Sequence, residues 1–200
     1  LTWDQYWHTI LDTSNPPFWK WFVGGKLNAC YNCVDRHLAK YRNKAALIFV
    51  SELEDEPPVA ITYQELYVRV NEMAALLRDF VGLKTGDRVT LHLPMTPELP
   101  ITMLACARLG IVHSEVFGGF SGEACGRRIA DSGSRVLVTV DGYYRNGKLI
   151  DHKANADIAV QVAEGEGQRV DKVLVWKRFL DKSASSTPRI VFPQLLRLAQ

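Results

Sequence analysis

Chemistry-bearing residues gather in three stretches of the chain. In "CYNCVDRH", Cys30 and Cys33 have CxxC spacing, and His37 lies one helical turn beyond Cys33. A zinc site needs a fourth ligand, normally from a second CxxC or HxxxH pair, and Cys106 and Cys125 supply none. A redox CxxC follows a strand at a helix start, which fits only loosely. Packed thiols at a helix start are the simpler reading, and no metal ligand is assigned. In "EVFGGFSGEACGRR", an apolar run meets Gly118 and Gly119, and Ser121 then opens a helix-like segment. Strand, glycine turn and helix start can hold a phosphate. Glycine lets backbone approach a ligand, and serine caps a helix. The stretch is neither GxGxxG nor GxxxxGKS/T, so a tight turn and a ligand contact both stay open. In "DGYYRNGK", Arg145 and Lys148 flank Asn146-Gly147. An arginine fork and a lysine point charge on one turn can hold a phosphate; a solvated surface loop is the bland alternative. Ser114, Ser121 and the five histidines show no nucleophile–base order such as GxSxG, and no catalytic residue is assigned.

A regular frame positions these stretches. Residues 1–12 are rich in tryptophan and tyrosine and suit a short helix, which Ser14-Asn15-Pro16-Pro17 breaks; residues 18–23 are aromatic and end at Gly24-Gly25. With no period of its own, this section reads as an arm laid across a larger body. Residues 31–41 read as a helix with Val34 and Leu38 on one face, and 45–50 with 59–61 as a strand hairpin. Thr62 and Glu65 make a capping box. The helix behind it carries Leu66, Val70, Met73, Leu77 and Phe80 or Val81 on one stripe. Strands follow at 88–93, 111–117, 135–140 and 170–176. Helices lie between them: one opens at Thr96-Pro97-Glu98 and ends at a Gly110 cap, and others span 121–131 and 149–163. The last places Ile150, Ala154, Ile158 and Val162 at spacing four. The tail suits a loop over 181–188 and a final helix over 192–198. Strands alternating with helices through short loops imply right-handed βαβ units: an α/β fold with a mainly parallel sheet flanked by helices. His92 and His113 fall inside strands, as core or turn-facing residues. Arg145 and Lys148 fall just past strand 135–140, at the edge where open α/β sheets bind ligands.

Composition bounds the function. The chain has 200 residues, 47% apolar and 23% charged, as expected of an ordered soluble chain with one good core or two small ones. A net charge of +2, from 24 basic and 22 acidic residues, gives no pull toward nucleic acid or an anionic membrane. The longest mostly apolar stretch, 101–117, is interrupted by Arg108, His113 and Glu115 and suits no membrane span. Four cysteines, two in core segments, and no visible signal peptide fit reduced thiols and a cytoplasmic setting.

Taken together, "WFVGGKLNACYNCVDRHL", "LPMTPELPITMLACARLGIVHSEVFGGFS" and "RIADSGSRVLVT", in that order, resemble the N-terminal portion of the AMP-forming acetyl-CoA synthetases. These belong to the adenylate-forming superfamily, with other acyl-CoA synthetases and firefly luciferase. The resemblance runs over residues 3–179, and the aromatic arm ending in "KWFVGGKLN" is typical of the short-chain branch. It implies that the fold is part of the large N-terminal domain of an adenylate-forming enzyme, with an arm over 1–30, an α/β subdomain over 31–180 and a divergent tail over 181–200. It implies a ligase using acetate, ATP with Mg2+, and coenzyme A, passing through acetyl-AMP, with small-molecule partners only. Arg145, Asn146, Gly147 and Lys148 match the family segment that binds coenzyme A near its phosphorylated nucleotide end. Lys148 stands where bacterial relatives often have arginine, so the charge is kept and the fork is lost. Gly119 matches a glycine beside the pantetheine arm, where a side chain would block the thiol.

The family's phosphate loop, adenine and ribose motifs, acyl pocket, hinge and catalytic lysine have no counterpart in these 200 residues. The expectation is that the chain by itself is inactive. A surface left apolar by missing subdomains would favour self-association. Two rivals stand: a propionyl-CoA or other short-chain synthetase, and a stand-alone binding module without catalysis.

Overall fold

The computed structural model describes residues 1–53, 56–179 and 191–192. Residues 1–12, expected to be helical, instead feed a hairpin: β1 (Thr9–Asp12) pairs antiparallel with β2 (Lys20–Val23), Thr9 opposite Val23. The cause is tertiary. Trp3 and Trp7 meet edge to face at 4.8 Å, and Trp7 meets Phe22 at 5.0 Å, so the rings hold the two limbs together. Asn28 ties this aromatic section to the body. Its side chain accepts from Tyr31 N–H, capping α1 (Ala29–Cys33), and donates to the Arg108 carbonyl at 3.0 Å.

The helix expected over 31–41 is broken in two. After α1, Val34 leaves helical dihedrals, a 3-10 turn covers Asp35–His37, and α2 is only Leu38–Tyr41. The break sets Asp35 under Arg108, whose guanidinium forks onto both carboxylate oxygens at 3.0 and 2.6 Å.

The hairpin of β3 (Ala45–Phe49) and β4 (Val59–Thr62) and the Thr62–Glu65 capping box are as the sequence predicts. In α3 (Tyr63–Ala75) Leu66, Val70 and Met73 are buried, and a wider π turn over Leu76–Phe80 buries Leu77. Phe80 swings out to solvent, while Val81 packs on the core.

The rest alternates: β5 (Arg88–Leu93), α4 (Glu98–Leu109), β6 (Val112–Phe117), α5 (Gly122–Ser132), β7 (Val136–Val140), then β8 (Gly142–Arg145), β9 (Lys148–Asp151), α6 (His152–Gly165), β10 (Lys172–Trp176) and β11 (Val191–Phe192). The strands β11-β10-β7-β5-β6 form one parallel sheet in that order. Side chains alternate across it. Val89, Leu91, Val136, Val138, Val140 and Leu174 join α3 and α4 in one core. Leu137, Val173 and Val175 join α5 and α6 in the other. On that second face β5 contributes polar Thr90 and His92, both fully buried.

The helix expected over 149–163 begins later, at His152. Asn146 (φ 51°) and Gly147 (φ 70°) make the two-residue turn that closes the antiparallel pair β8–β9. Ile150 therefore lies in a strand. The buried face of α6 is Ala156, Ala159, Val160 and Ala163. Ile158 and Val162 cross onto α5, where a Cβ on Gly122 or Gly126 would sit 2.6 Å from them. Of the tail elements expected over 181–188 and 192–198, only Val191–Phe192 is described, as strand; the remainder lies outside the described residues.

Candidate functional site

The carboxyl ends of β5, β6, β7 and β10 open on one cavity of about 440 Å³. Pro94 and Thr96 follow β5, Gly118 and Gly119 follow β6, Tyr143 and Arg145 lie on β8, and Arg178 follows β10; Glu52, after β3, closes one side. This is the edge at which open α/β sheets bind ligands.

Asp141 organises the floor. It is buried at the end of β7, and its carboxylate accepts three backbone N–H bonds: Gly142 at 2.8 Å, Arg178 at 2.9 Å and Phe179 at 2.8 Å. The segment leaving β10 is thereby fixed against the segment leaving β7. Arg178 then lies over the Phe49 ring and donates to Glu98 Oε2 at 2.9 Å. Its charge is compensated there.

The glycine loop is held from both sides. A Cβ on Gly118 would sit 2.9 Å from Pro94 Cα and 3.0 Å from Leu93 O, so only glycine lets β6 turn this close to β5. Tyr143 Oη donates to the Gly118 carbonyl at 3.0 Å. Behind Tyr143, His152 meets the tyrosine ring edge-on at 5.2 Å and lies 4.2 Å from His92, ring centre to ring centre. His152 Nε2 bonds the His92 carbonyl at 3.0 Å. Burial, with His152 alongside, drives His92 down to about 3, and burial lowers His152 too. These histidines are neutral, buried struts, which the strand position of His92 suggests, and neither lines the cavity.

Gly119 and Arg145 meet. A Cβ on Gly119 would fall onto the Arg145 guanidinium and 2.6 Å from Phe117 Cε1. The guanidinium lies 5.8 Å from the centre of the Phe117 ring, a cation–π contact, and among the described residues no carboxylate forms an ion pair with it. Asn146 and Gly147 form the turn beyond the cavity, and Lys148 stands exposed opposite Arg145 in the ladder. Glu52 Oε1 accepts the Gly147 N–H at 2.7 Å. Of the sequence-predicted site residues, Gly119 and Arg145 line the cavity; Asn146, Gly147 and Lys148 stand next to it.

Sequence reasoning missed Tyr143, Asp141, Arg178 and Glu52. Asp141 and Arg178 each follow a strand of the parallel sheet, which was a usable signal. Glu52 carried none. The lining residues include no histidine or cysteine. Among the described residues no group of three or more His, Cys, Asp or Glu could hold a metal ion. Cys33 is exposed, whereas burial pushes the Cys30 thiol up to about 11, far from a reactive thiolate. The arrangement suits binding: a guanidinium with no ion pair among the described residues lies beside bare glycine backbone, chemistry that can receive an anion.

Residues 34–191 match the family of AMP-binding enzymes, and residues 1–33 match the acetyl-coenzyme A synthetase N-terminus. An acetyl-coenzyme A synthetase of Wolinella succinogenes is 48% identical over 175 residues, covering 88% of this chain and 26% of that one. One from Pyrobaculum arsenaticum is 47% identical over 184 residues, covering 89% and 27%. A 3-hydroxypropionyl-coenzyme A synthetase of Sulfurisphaera tokodaii is 48% identical over 178 residues, covering 89% and 27%. The chain spans about a quarter of the length of these relatives. With a family match over most of its length and a parallel sheet opening on a cavity at its carboxyl edge, the chain belongs to the AMP-binding enzymes, among the AMP-forming acyl-CoA synthetases.

Proposed function

We propose that this chain supplies the coenzyme A side of an acetate–CoA ligase of the AMP-forming type. In that reaction a carboxylate attacks the α-phosphorus of ATP, giving acyl-AMP and pyrophosphate. The thiol of coenzyme A then attacks the acyl carbon and AMP leaves. The reading assigns the chain to the second step: Arg145 and Lys148 receive phosphates of coenzyme A, Asn146 and Gly147 shape that turn, and Gly119 leaves clearance for the pantetheine arm. The supporting observation is the Arg145 guanidinium lying against Gly119 at the carboxyl edge of the sheet, with no ion pair to it among the described residues. The partners in this reading are acetate, ATP and coenzyme A, in the cytoplasm. The division into 1–30, 31–180 and 181–200 belongs to the same reading.

ATP and Mg2+ are left to residues outside these 200. No adenylation step is assigned to the chain, and acetate-dependent ATP–pyrophosphate exchange is expected to be absent from it. Exchange above background would overturn that half. For the coenzyme A half, Arg145→Glu in a synthetase carrying this chain is expected to raise the KM for coenzyme A about tenfold or more while exchange is unchanged. Equal loss of both half-reactions would overturn the assignment.

A second reading concerns the acyl group. The 3-hydroxypropionyl-coenzyme A synthetase is as similar to this chain as the acetyl-coenzyme A synthetase of Wolinella succinogenes is. A short-chain acid other than acetate therefore stands beside it, and rates with acetate, propionate and 3-hydroxypropionate separate the two.

A further inference from the structure

The turn beside the cavity is already occupied by an anion belonging to the chain itself. A two-residue hairpin turn leaves the N–H of its second residue outside the ladder, and here that donor is Gly147. Glu52 Oε1 accepts it at 2.7 Å. Arg145 and Lys148 stand opposite each other on the two sides of the same turn. A guanidinium, an ammonium and a free amide thus gather within four residues, and a carboxylate from a different hairpin has taken the amide. Glu52 also lines the cavity.

We propose that Glu52 is a built-in competitor for the phosphate that Arg145 and Lys148 receive, and so a residue that sets affinity and selectivity at this site. The inference rests on the coenzyme A reading above. A phosphate monoester carries about −1.5 to −2 charges near neutral pH and three acceptor oxygens. It cannot share the Gly147 N–H with a carboxylate, and the like charges repel. Entry therefore requires Glu52 to leave, freeing the segment after β3 from the β8–β9 turn. A dianionic group offers the cations enough to displace the carboxylate, whereas a neutral or weakly charged ligand does not. The contact is solvent-exposed, so the competition is modest in size and weakens with salt.

The test uses coenzyme A and dephospho-coenzyme A titrated into the 15N-labelled chain, following the Gly147 amide resonance. Glu52→Gln keeps an oxygen acceptor for Gly147 and removes only the charge. It is expected to tighten coenzyme A binding about three- to tenfold at low salt, less at high salt, and to leave dephospho-coenzyme A unchanged. Arg145→Ala, measured alongside, is expected to weaken coenzyme A. If Arg145→Ala weakens binding and Glu52→Gln does nothing, the competitor role falls and the site stands. If Arg145→Ala has no effect, the underlying site reading falls. Weaker binding by Glu52→Gln would make Glu52 a ligand contact and overturn the proposal, as would an equal gain with dephospho-coenzyme A.

Discussion

Tyr143 Oη donates to the Gly118 carbonyl at 3.0 Å, joining the β8–β9 hairpin to the glycine loop after β6 across 25 positions of sequence. Because Tyr143 also packs edge-on against His152, its ring stays in place when the hydroxyl is removed. Tyr143→Phe is expected to cost about 1 kcal/mol, the net worth of one partly buried hydrogen bond. For a chain of this size that is a fall in Tm of about 2–4 °C, read by circular dichroism. An unchanged Tm would mean that the loop is held by packing.

The parallel sheet was legible because its strands are short apolar runs separated by capped helices. Val136–Val140 is buried along its whole length, and a run like that has one plausible place. The N-terminal hairpin was not legible. Its pairing of Thr9 with Val23 depends on rings that meet only after the chain folds back. The β8–β9 hairpin was missed differently. Asn146-Gly147 is a strong hairpin signal, but Leu149 and Ile150 extend the helical spacing of α6 backwards, so the apolar period runs on past the turn. At the candidate site, Gly119 and Arg145 were each legible as residue types in a loop. Their mutual contact was not, nor was the arrival of Glu52, because segments after different strands meet there with no shared period.

The two loop glycines are expected to respond differently to alanine. At Gly118 the new Cβ meets backbone of Leu93 and Pro94, which cannot yield without moving β5. Gly118→Ala should cost about 1–3 kcal/mol by urea denaturation, as overpacking does. At Gly119 the Cβ meets the Arg145 guanidinium and the exposed Phe117 ring, both ends of side chains that can turn away. Gly119→Ala should cost less than about 1 kcal/mol and instead displace Arg145, weakening coenzyme A binding in calorimetric titration. Equal destabilisation at the two positions would contradict this.

Asp141→Asn is nearly isosteric, yet it should be costly. The carboxylate accepts Gly142 and Arg178 on one oxygen and Phe179 on the other. An asparagine offers one carbonyl oxygen and turns an NH2 group toward a backbone donor. At least one of these N–H groups is left unpaired, at about 1–3 kcal/mol for a buried donor. Hydrogen exchange at Phe179 or at Arg178 should quicken, while exchange in α3, on the opposite face, should change only with global stability. Retained protection at both amides would show that Asp141 is not the clamp.

Acid should unfold the chain through its buried histidines before its carboxylates contribute. His92 is held near 3 by burial against an ordinary value of 6.5, and burial also lowers His152 and the half-buried His113. The folded state keeps these rings neutral, and the unfolded chain takes up protons below about 6.5. Their contribution is therefore fully present above 6.5 and is lost as pH falls toward the folded values. The limiting slope is about 1.4 kcal/mol per pH unit for each fully buried histidine. Asp12, Glu65, Asp79 and Glu123 have lowered values and act in the opposite part of the scale, losing their contribution only below their ordinary 3.8–4.5. The window between pH 6.5 and 5 thus belongs to the histidines. Urea midpoints measured across it should fall steadily in the parent chain. In His92→Gln, which lowers stability outright, the dependence on pH should flatten, by a slope that approaches about 1.4 kcal/mol per unit at the acid end of the window. The slope rather than the absolute stability is the discriminating quantity, because a merely structural defect would shift the whole curve and leave its slope intact.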